Sequence, residues 1–165
     1  MSVCRKRLIM WLILTGASVI AGIAIDIYLK TPAFPLSLRA LGFFGIILAH
    51  FPLKRTGKLL KDFESPEAWG CTIELVTTDI YQCLRHPHHL AVGLFMTSLG
   101  LLIGHPASFL VITITQWTWV IAFLFLVEEK ELVEKFGEEY EAYRQKTPML
   151  FPKPSCIIKV FTNTH

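Results

Sequence analysis

The chain has 165 residues, 53% of them hydrophobic, and a mean hydropathy of +0.49. That is one domain's worth of material and too apolar for an ordinary soluble protein, so an integral membrane protein is expected. The net charge of +3 is too small to point to nucleic acid, and no nucleic acid is expected as a partner.

Two stretches, Leu8 to Ile25 and Leu90 to Val127, contain no Lys, Arg, Asp or Glu. Each meets the criterion of about 18 uncharged residues for a crossing. The first follows Arg5, Lys6 and Arg7 as a secretory signal would. It runs well past the roughly 7 to 15 residues of a signal core, and it reads as a span. Four spans are predicted, at about 8–29, 36–53, 88–104 and 106–127. Arg39 and His50 intrude on the second. The third and fourth divide one uncharged stretch at "GHPAS", where a glycine and a proline make a tight turn.

The basic residues test this arrangement. Of 16 Lys and Arg, 14 lie before the first span, in residues 54–85, or after Val127, which places both termini and the middle loop on the cytoplasmic side. The fold class expected is all-α: a polytopic membrane bundle of about four transmembrane helices with a C-terminal amphipathic helix. It forms a single domain, 1–165, made of an N-terminal hairpin (1–53), a cytoplasmic surface loop (54–85), a second hairpin (86–127) and a C-terminal cytoplasmic segment (128–165). Cys4, Cys71, Cys83 and Cys156 have no metal-type spacing and all fall on the cytoplasmic side, so reduced thiols are expected.

After Val127, "EEKELVEKFGEEYEAYRQK" reads as a helix. At 100° per residue, Glu129, Leu132, Val133, Phe136, Tyr140 and Tyr143 share one face, with Gly137 placed to break or bend it. Glu129 stands at the centre of that apolar face and Glu128 at its edge. A carboxylate so placed needs a partner or a shifted pKa.

The hairpin geometry supplies partners. At about 1.5 Å per residue, the third span descends roughly 26 Å and the fourth returns roughly 30 Å. Arg85, His86, His88 and His89 of "LRHPHHLAVG" therefore stand level with Glu128 and Glu129. Such a cluster at the mouth of a bundle suits a ligand site. It also suits plain anchoring of a helix in the headgroup layer, and both readings stay open here. "HPHH" with a carboxylate could hold a metal. None is expected, because the remaining histidines are His50, His105 and His165, and His105 is placed on the opposite side.

"TTDIY", then "RHPHH", an uncharged hairpin, and "EEKELVEKFGEEYEAYRQKTPMLFP" together resemble the C-terminal half of the isoprenylcysteine carboxyl methyltransferases and their phospholipid methyltransferase relatives. The resemblance covers roughly residues 75–153. It implies an integral membrane enzyme that holds S-adenosylmethionine at the cytoplasmic face and takes a lipid-like or prenylated acceptor from the bilayer. It also implies that Tyr81, Arg85, His86, Pro87 and His89 belong to the cofactor pocket, with Glu129, Tyr140 and Tyr143 closing it and the C-terminal segment serving as its cover. Glu128 or His89 would take a proton from an amine acceptor, whereas a carboxylate acceptor requires no base. Where the carboxyl methyltransferases carry an arginine four residues before the EE pair, this chain has Leu124. A prenylcysteine-type carboxylate and a phospholipid amine both remain as acceptors. The other readings are an NADPH-dependent sterol-type membrane reductase, whose pocket is related, and a non-catalytic membrane protein that keeps the fold.

Overall fold

The computed structural model describes residues 3–65, 68–72 and 74–161. Its helices are α1 (Val3–Leu29), α2 (Leu36–Asp62), α3 (Pro87–Ile103), α4 (Pro106–Phe123), α5 (Glu129–Lys146) and α6 (Ile157–Phe161). A small antiparallel hairpin, β1 (Glu64–Ser65) with β2 (Ala68–Thr72), follows α2, and a 3₁₀ turn (Asp79–Gln82) leads into α3. A π turn, Leu124–Glu128, joins α4 to α5 without a break in the helical run. The chain is an all-α membrane bundle.

Three described helical stretches are long and apolar enough to cross a membrane: Arg5–Leu29, Leu36–Lys61 and Pro106–Lys146. The third predicted span is α3, a shorter apolar helix of 17 residues. It sits at the lower limit of the roughly 17 to 25 residues a spanning helix uses.

The helices turn their apolar faces outward. On α1, Ile13, Ile20 and Ile27 recur every seven residues and are 67%, 71% and 72% exposed, while Ser18, Gly22 and Asp26 recur every four and are buried. Lipid accounts for this inversion, because apolar side chains gain nothing by hiding from it. The buried face packs on α4. Asp26 accepts hydrogen bonds from the Ala107 and Ser108 amides (2.9 and 2.7 Å) and from the Thr31 and Ser108 hydroxyls (2.5 Å each). It thereby satisfies amides at the start of α4 that the chain's own N-cap residue, His105, leaves without a side-chain partner. Deeper in, Trp11 donates to Gln116 (2.9 Å), and Gln116 donates to Thr15 (3.0 Å).

α2 packs along α3 through small residues. A Cβ on Gly42 would stand 2.6 Å from the Leu102 amide nitrogen and 2.7 Å from the Ser98 carbonyl oxygen, so only glycine admits this approach.

Two expectations are corrected. α2 does not end near residue 53 but continues to Asp62, because Leu59, Leu60 and the lysines beyond the apolar stretch are good helix formers. Residues 54–62 of the presumed surface loop are therefore helical. The break expected at Gly137 is present: its φ of 52° and ψ of −127° interrupt α5 there. Cys83 and Cys156 are not free thiols but are joined by a disulfide, with Cα atoms 5.6 Å apart. Cys4 and Cys71 lie where side chains are outside the described set.

Candidate functional site

The site begins where α3 begins. Pro87 occupies the first helical position, where its fixed φ fits and its missing N–H costs nothing, so Arg85 and His86 fall just ahead of the helix. Their amides are spent on the C-terminal segment. Arg85 N–H donates to the Pro148 carbonyl (2.8 Å) and His86 N–H to that of Met149 (3.1 Å).

Glu129 is the hub. Its carboxylate accepts from Arg85 Nη1 at 2.7 and 2.5 Å, from His86 Nε2 at 2.6 Å and from the Tyr140 hydroxyl at 2.7 Å. Arg85 Nη1 also donates to the Tyr140 oxygen at 3.1 Å, and its guanidinium lies 6.0 Å from the centre of that ring. Arg85 and Glu129 are 9% and 12% exposed as side chains, so each charge depends on the other.

His86 bridges the two glutamates, with Nδ1 3.2 Å from Glu128 and Nε2 2.6 Å from Glu129. A carboxylate only accepts, so both ring nitrogens must carry hydrogen for both contacts to be bonds. Burial alone would depress this imidazole. The hydrogen bonds His86 donates to Glu128 and Glu129 outweigh it and hold the pKa above its ordinary value. Burial, followed by the Glu128 charge, pushes the Tyr81 phenol the other way from ionisation, with its pKa raised.

On the far side of His86, Glu128 Oε2 is 3.3 Å from His89 Nε2. That oxygen is buried and has no hydrogen-bond partner among the described residues; Arg85 Nε is in the same position. His89 stacks on Phe123 (5.7 Å between centres), which stacks in turn on Trp119 (5.9 Å). Arg7 of α1 lies over Phe123 and pairs with Glu131, so the first helix reaches the same region.

A cavity of about 510 Å³ opens beside this cluster. It is lined by Arg85, Phe125, Glu129, Lys130, Val133, Glu134, Glu141, Arg144 and Met149. Of the residues singled out from sequence, Arg85 and Glu129 form its wall, and His86 and Tyr140 stand directly behind them. Pro87 is buried at the start of α3. Tyr81 is buried in the cluster of Ile80, Leu84, Leu90 and Val160, and its carbonyl accepts from the Tyr143 hydroxyl at 2.6 Å. Tyr81 and Tyr143 thus brace the cavity without lining it. The bend at Gly137 makes the closure possible, since Tyr140 follows Glu129 by 11 positions, about 16 Å along a straight helix. The other seven lining residues, Phe125, Lys130, Val133, Glu134, Glu141, Arg144 and Met149, were not singled out from sequence as site residues. Val133 shares the wheel face of Glu129, but Met149 carries no such signal.

His86, His89 and Glu128 offer ligand atoms within 4.8 Å of one another. Both nitrogens of His86 already face carboxylates, so the cluster can be read as a hydrogen-bonded charge network without an ion.

Asp79 has φ 57°, in the left-handed region that favours glycine. Its carboxylate pairs with Arg55, whose Nε lies 2.9 Å away and whose Nη1 also donates to the Lys159 carbonyl (2.9 Å). That contact ties α2 and α6 to the turn below the site.

A family model described as phospholipid methyltransferase matches residues 31–139. Protein-S-isoprenylcysteine O-methyltransferase of Schizosaccharomyces pombe is 39% identical over 80 residues, 47% of this chain and 33% of that protein. Methanethiol S-methyltransferase of Crocosphaera subtropica is 34% identical over 121 residues, 70% of this chain and 45% of that protein. Protein-S-isoprenylcysteine O-methyltransferase of Xenopus laevis is 35% identical over 82 residues, 47% of this chain and 27% of that protein. The chain therefore spans less than half the length of each of these relatives.

Proposed function

The chain belongs to the phospholipid methyltransferase family, and from that premise we propose that it is an integral membrane methyltransferase. It uses S-adenosylmethionine to methylate a lipid-like acceptor, either a prenylcysteine-type carboxylate or a phospholipid amine, at the cytoplasmic membrane face. Both termini are cytoplasmic in this reading. Residues 1–53 and 86–127 are its two hairpins, 54–85 its surface link and 128–165 the segment that covers the cofactor.

The observation that carries the proposal is the Arg85–Glu129 pair on the cavity wall, with Arg85 Nε buried and unpartnered. An amino-acid zwitterion complements such a pair, its carboxylate toward the guanidinium and its ammonium toward Glu129. The cavity volume lies within the roughly 300 to 1,000 Å³ of small-molecule sites. When bound, S-adenosylmethionine supplies a methyl group on a positively charged sulfur. The protein's task is then alignment and exclusion of water rather than strong acid or base chemistry. Tyr140 and His86 hold Glu129 in place from behind. Glu128 and His89, beyond His86 from Glu129, receive the proton that an amine acceptor must release. Leu124, fully buried in the π turn, offers no charge to an acceptor carboxylate, which favours the amine.

The test is transfer of labelled methyl from S-adenosylmethionine by purified protein in liposomes containing either phosphatidylethanolamine or a farnesylcysteine. Label in the lipid extract of one set, lost in Glu129→Gln, supports the reading. Absence of label from both, with protein shown to be folded, removes it.

A further inference from the structure

The Cys83–Cys156 bond joins two segments that build the site. Cys83 is fully buried, two residues before Arg85. Cys156 is partly exposed at the end of a 3₁₀ turn, Pro154–Cys156. Between them the C-terminal segment runs alongside residues 83–86. Beyond the amide contacts of Arg85 and His86 already given, Lys153 N–H donates to the Cys83 carbonyl at 3.3 Å. Met149, on that segment, and Arg85, beside Cys83, both line the cavity. The disulfide is the covalent fastening of the cavity's cover.

We propose that Cys83–Cys156 is a thiol–disulfide exchange site, a clasp whose reduction loosens residues 147–161 and weakens ligand binding in the cavity. Its binding half rests on the methyltransferase reading, and its redox half on the proposed orientation. The face that carries this bond also carries 14 of the 16 Lys and Arg, which makes it the cytoplasmic face, where thiol pools hold cysteines reduced. A disulfide placed there forms and breaks with the redox poise instead of lasting as a permanent brace. Accessibility sets the order of events. An external thiolate of the glutathione class attacks the Cys156 sulfur, a mixed disulfide forms, and Cys83 leaves as a thiolate that takes up a proton. A second external thiol then attacks the outer sulfur of the mixed disulfide. Cys156 is released as a thiol, the two external thiols end as one disulfide, and the protein has gained two electrons and two protons. The three backbone hydrogen bonds and buried Val160 remain, so the segment stays docked but opens more often.

The experiment uses the full chain in detergent, equilibrated with oxidised or reduced glutathione. Peptide-resolved alkylation reports the thiols, hydrogen exchange reports residues 147–153, and calorimetric titration reports S-adenosylhomocysteine binding. The inference expects Cys83 and Cys156 to be alkylated only after reduction. Exchange at 147–153 should then rise about tenfold and the ligand's Kd rise by a similar factor, with Cys156→Ser giving the reduced-state values in both buffers. Alkylation of both cysteines without reductant, or exchange identical in the two states, overturns it. Failure of the oxidised protein to bind S-adenosylhomocysteine, with exchange still redox-dependent, would instead sink the methyltransferase reading and leave the clasp standing.

Discussion

Gly137→Ala separates backbone conformation from packing more cleanly than any other change in the site. A Cβ built on Gly137 meets no heavy atom within 4 Å, so the substitution creates no clash. Its cost comes from the backbone alone: φ 52° with ψ −127° is a region that side-chain-bearing residues avoid, at about 1 to 3 kcal/mol. The chain can keep the bend and carry that strain. Alternatively α5 straightens, and Tyr140 is withdrawn from Glu129 and Tyr143 from the Tyr81 carbonyl, hydrogen bonds of 2.7 and 2.6 Å worth about 1 kcal/mol or more each. Either route destabilises the closed form by about 1 to 3 kcal/mol, which is roughly a 5- to 150-fold loss of affinity. The assay is calorimetric titration of S-adenosylhomocysteine into wild type and variant, with thermal unfolding beside it. Gly57→Ala is the control. Its Cβ also meets nothing within 4 Å, but it lies inside α2, where alanine is expected to stabilise by about 0.5 to 1 kcal/mol. Wild-type affinity in Gly137→Ala would refute the claim that the bend at this glycine builds the site.

Tyr140→Phe keeps the ring and removes only the hydroxyl that joins Arg85 to Glu129. Titration should show affinity reduced by about tenfold, consistent with roughly 1 to 2 kcal/mol for a charge-assisted bond, and little change in helix content by circular dichroism. Glu129→Gln leaves the nearly buried Arg85 guanidinium without its counter-charge, a change worth about 3 to 5 kcal/mol. It should abolish binding and also lower the melting temperature, and Arg85→Met in the same chain should restore the stability but not the binding. For His86, the folded pKa stands above the unfolded value of about 6.5. Its stabilisation is therefore fully present below about pH 6.5 and is lost as pH rises through the folded pKa. Melting temperature followed against pH should show that loss in wild type and not in His86→Asn.

The juxtaposition at the heart of the site was legible because it follows from arithmetic. Two uncharged runs of known length, joined by a tight turn, return the chain to its starting level, and Arg85 and His86 do meet Glu128 and Glu129. Gly137 was legible as an interruption, though not the direction in which it sends Tyr140. The end of α2 was misread because the end of an apolar stretch was equated with the end of a helix, whereas Lys54 to Lys61 can continue a helix outside lipid. The π turn at Leu124–Glu128 had no signal, since five residues cannot distinguish one helical period from another. The disulfide and the Arg7–Glu131 pair join residues 73 and 124 positions apart, and no local pattern encodes contacts of that range.

The cavity beside Arg85 and Glu129 is the proposed seat of the methyl donor. Calorimetric titration of the detergent-purified chain with S-adenosylhomocysteine, with NADPH as the comparison ligand, tests it most directly. Saturable binding of S-adenosylhomocysteine alone, lost in Glu129→Gln, is the predicted result. Binding of NADPH alone, or of neither ligand to a folded sample, would contradict it.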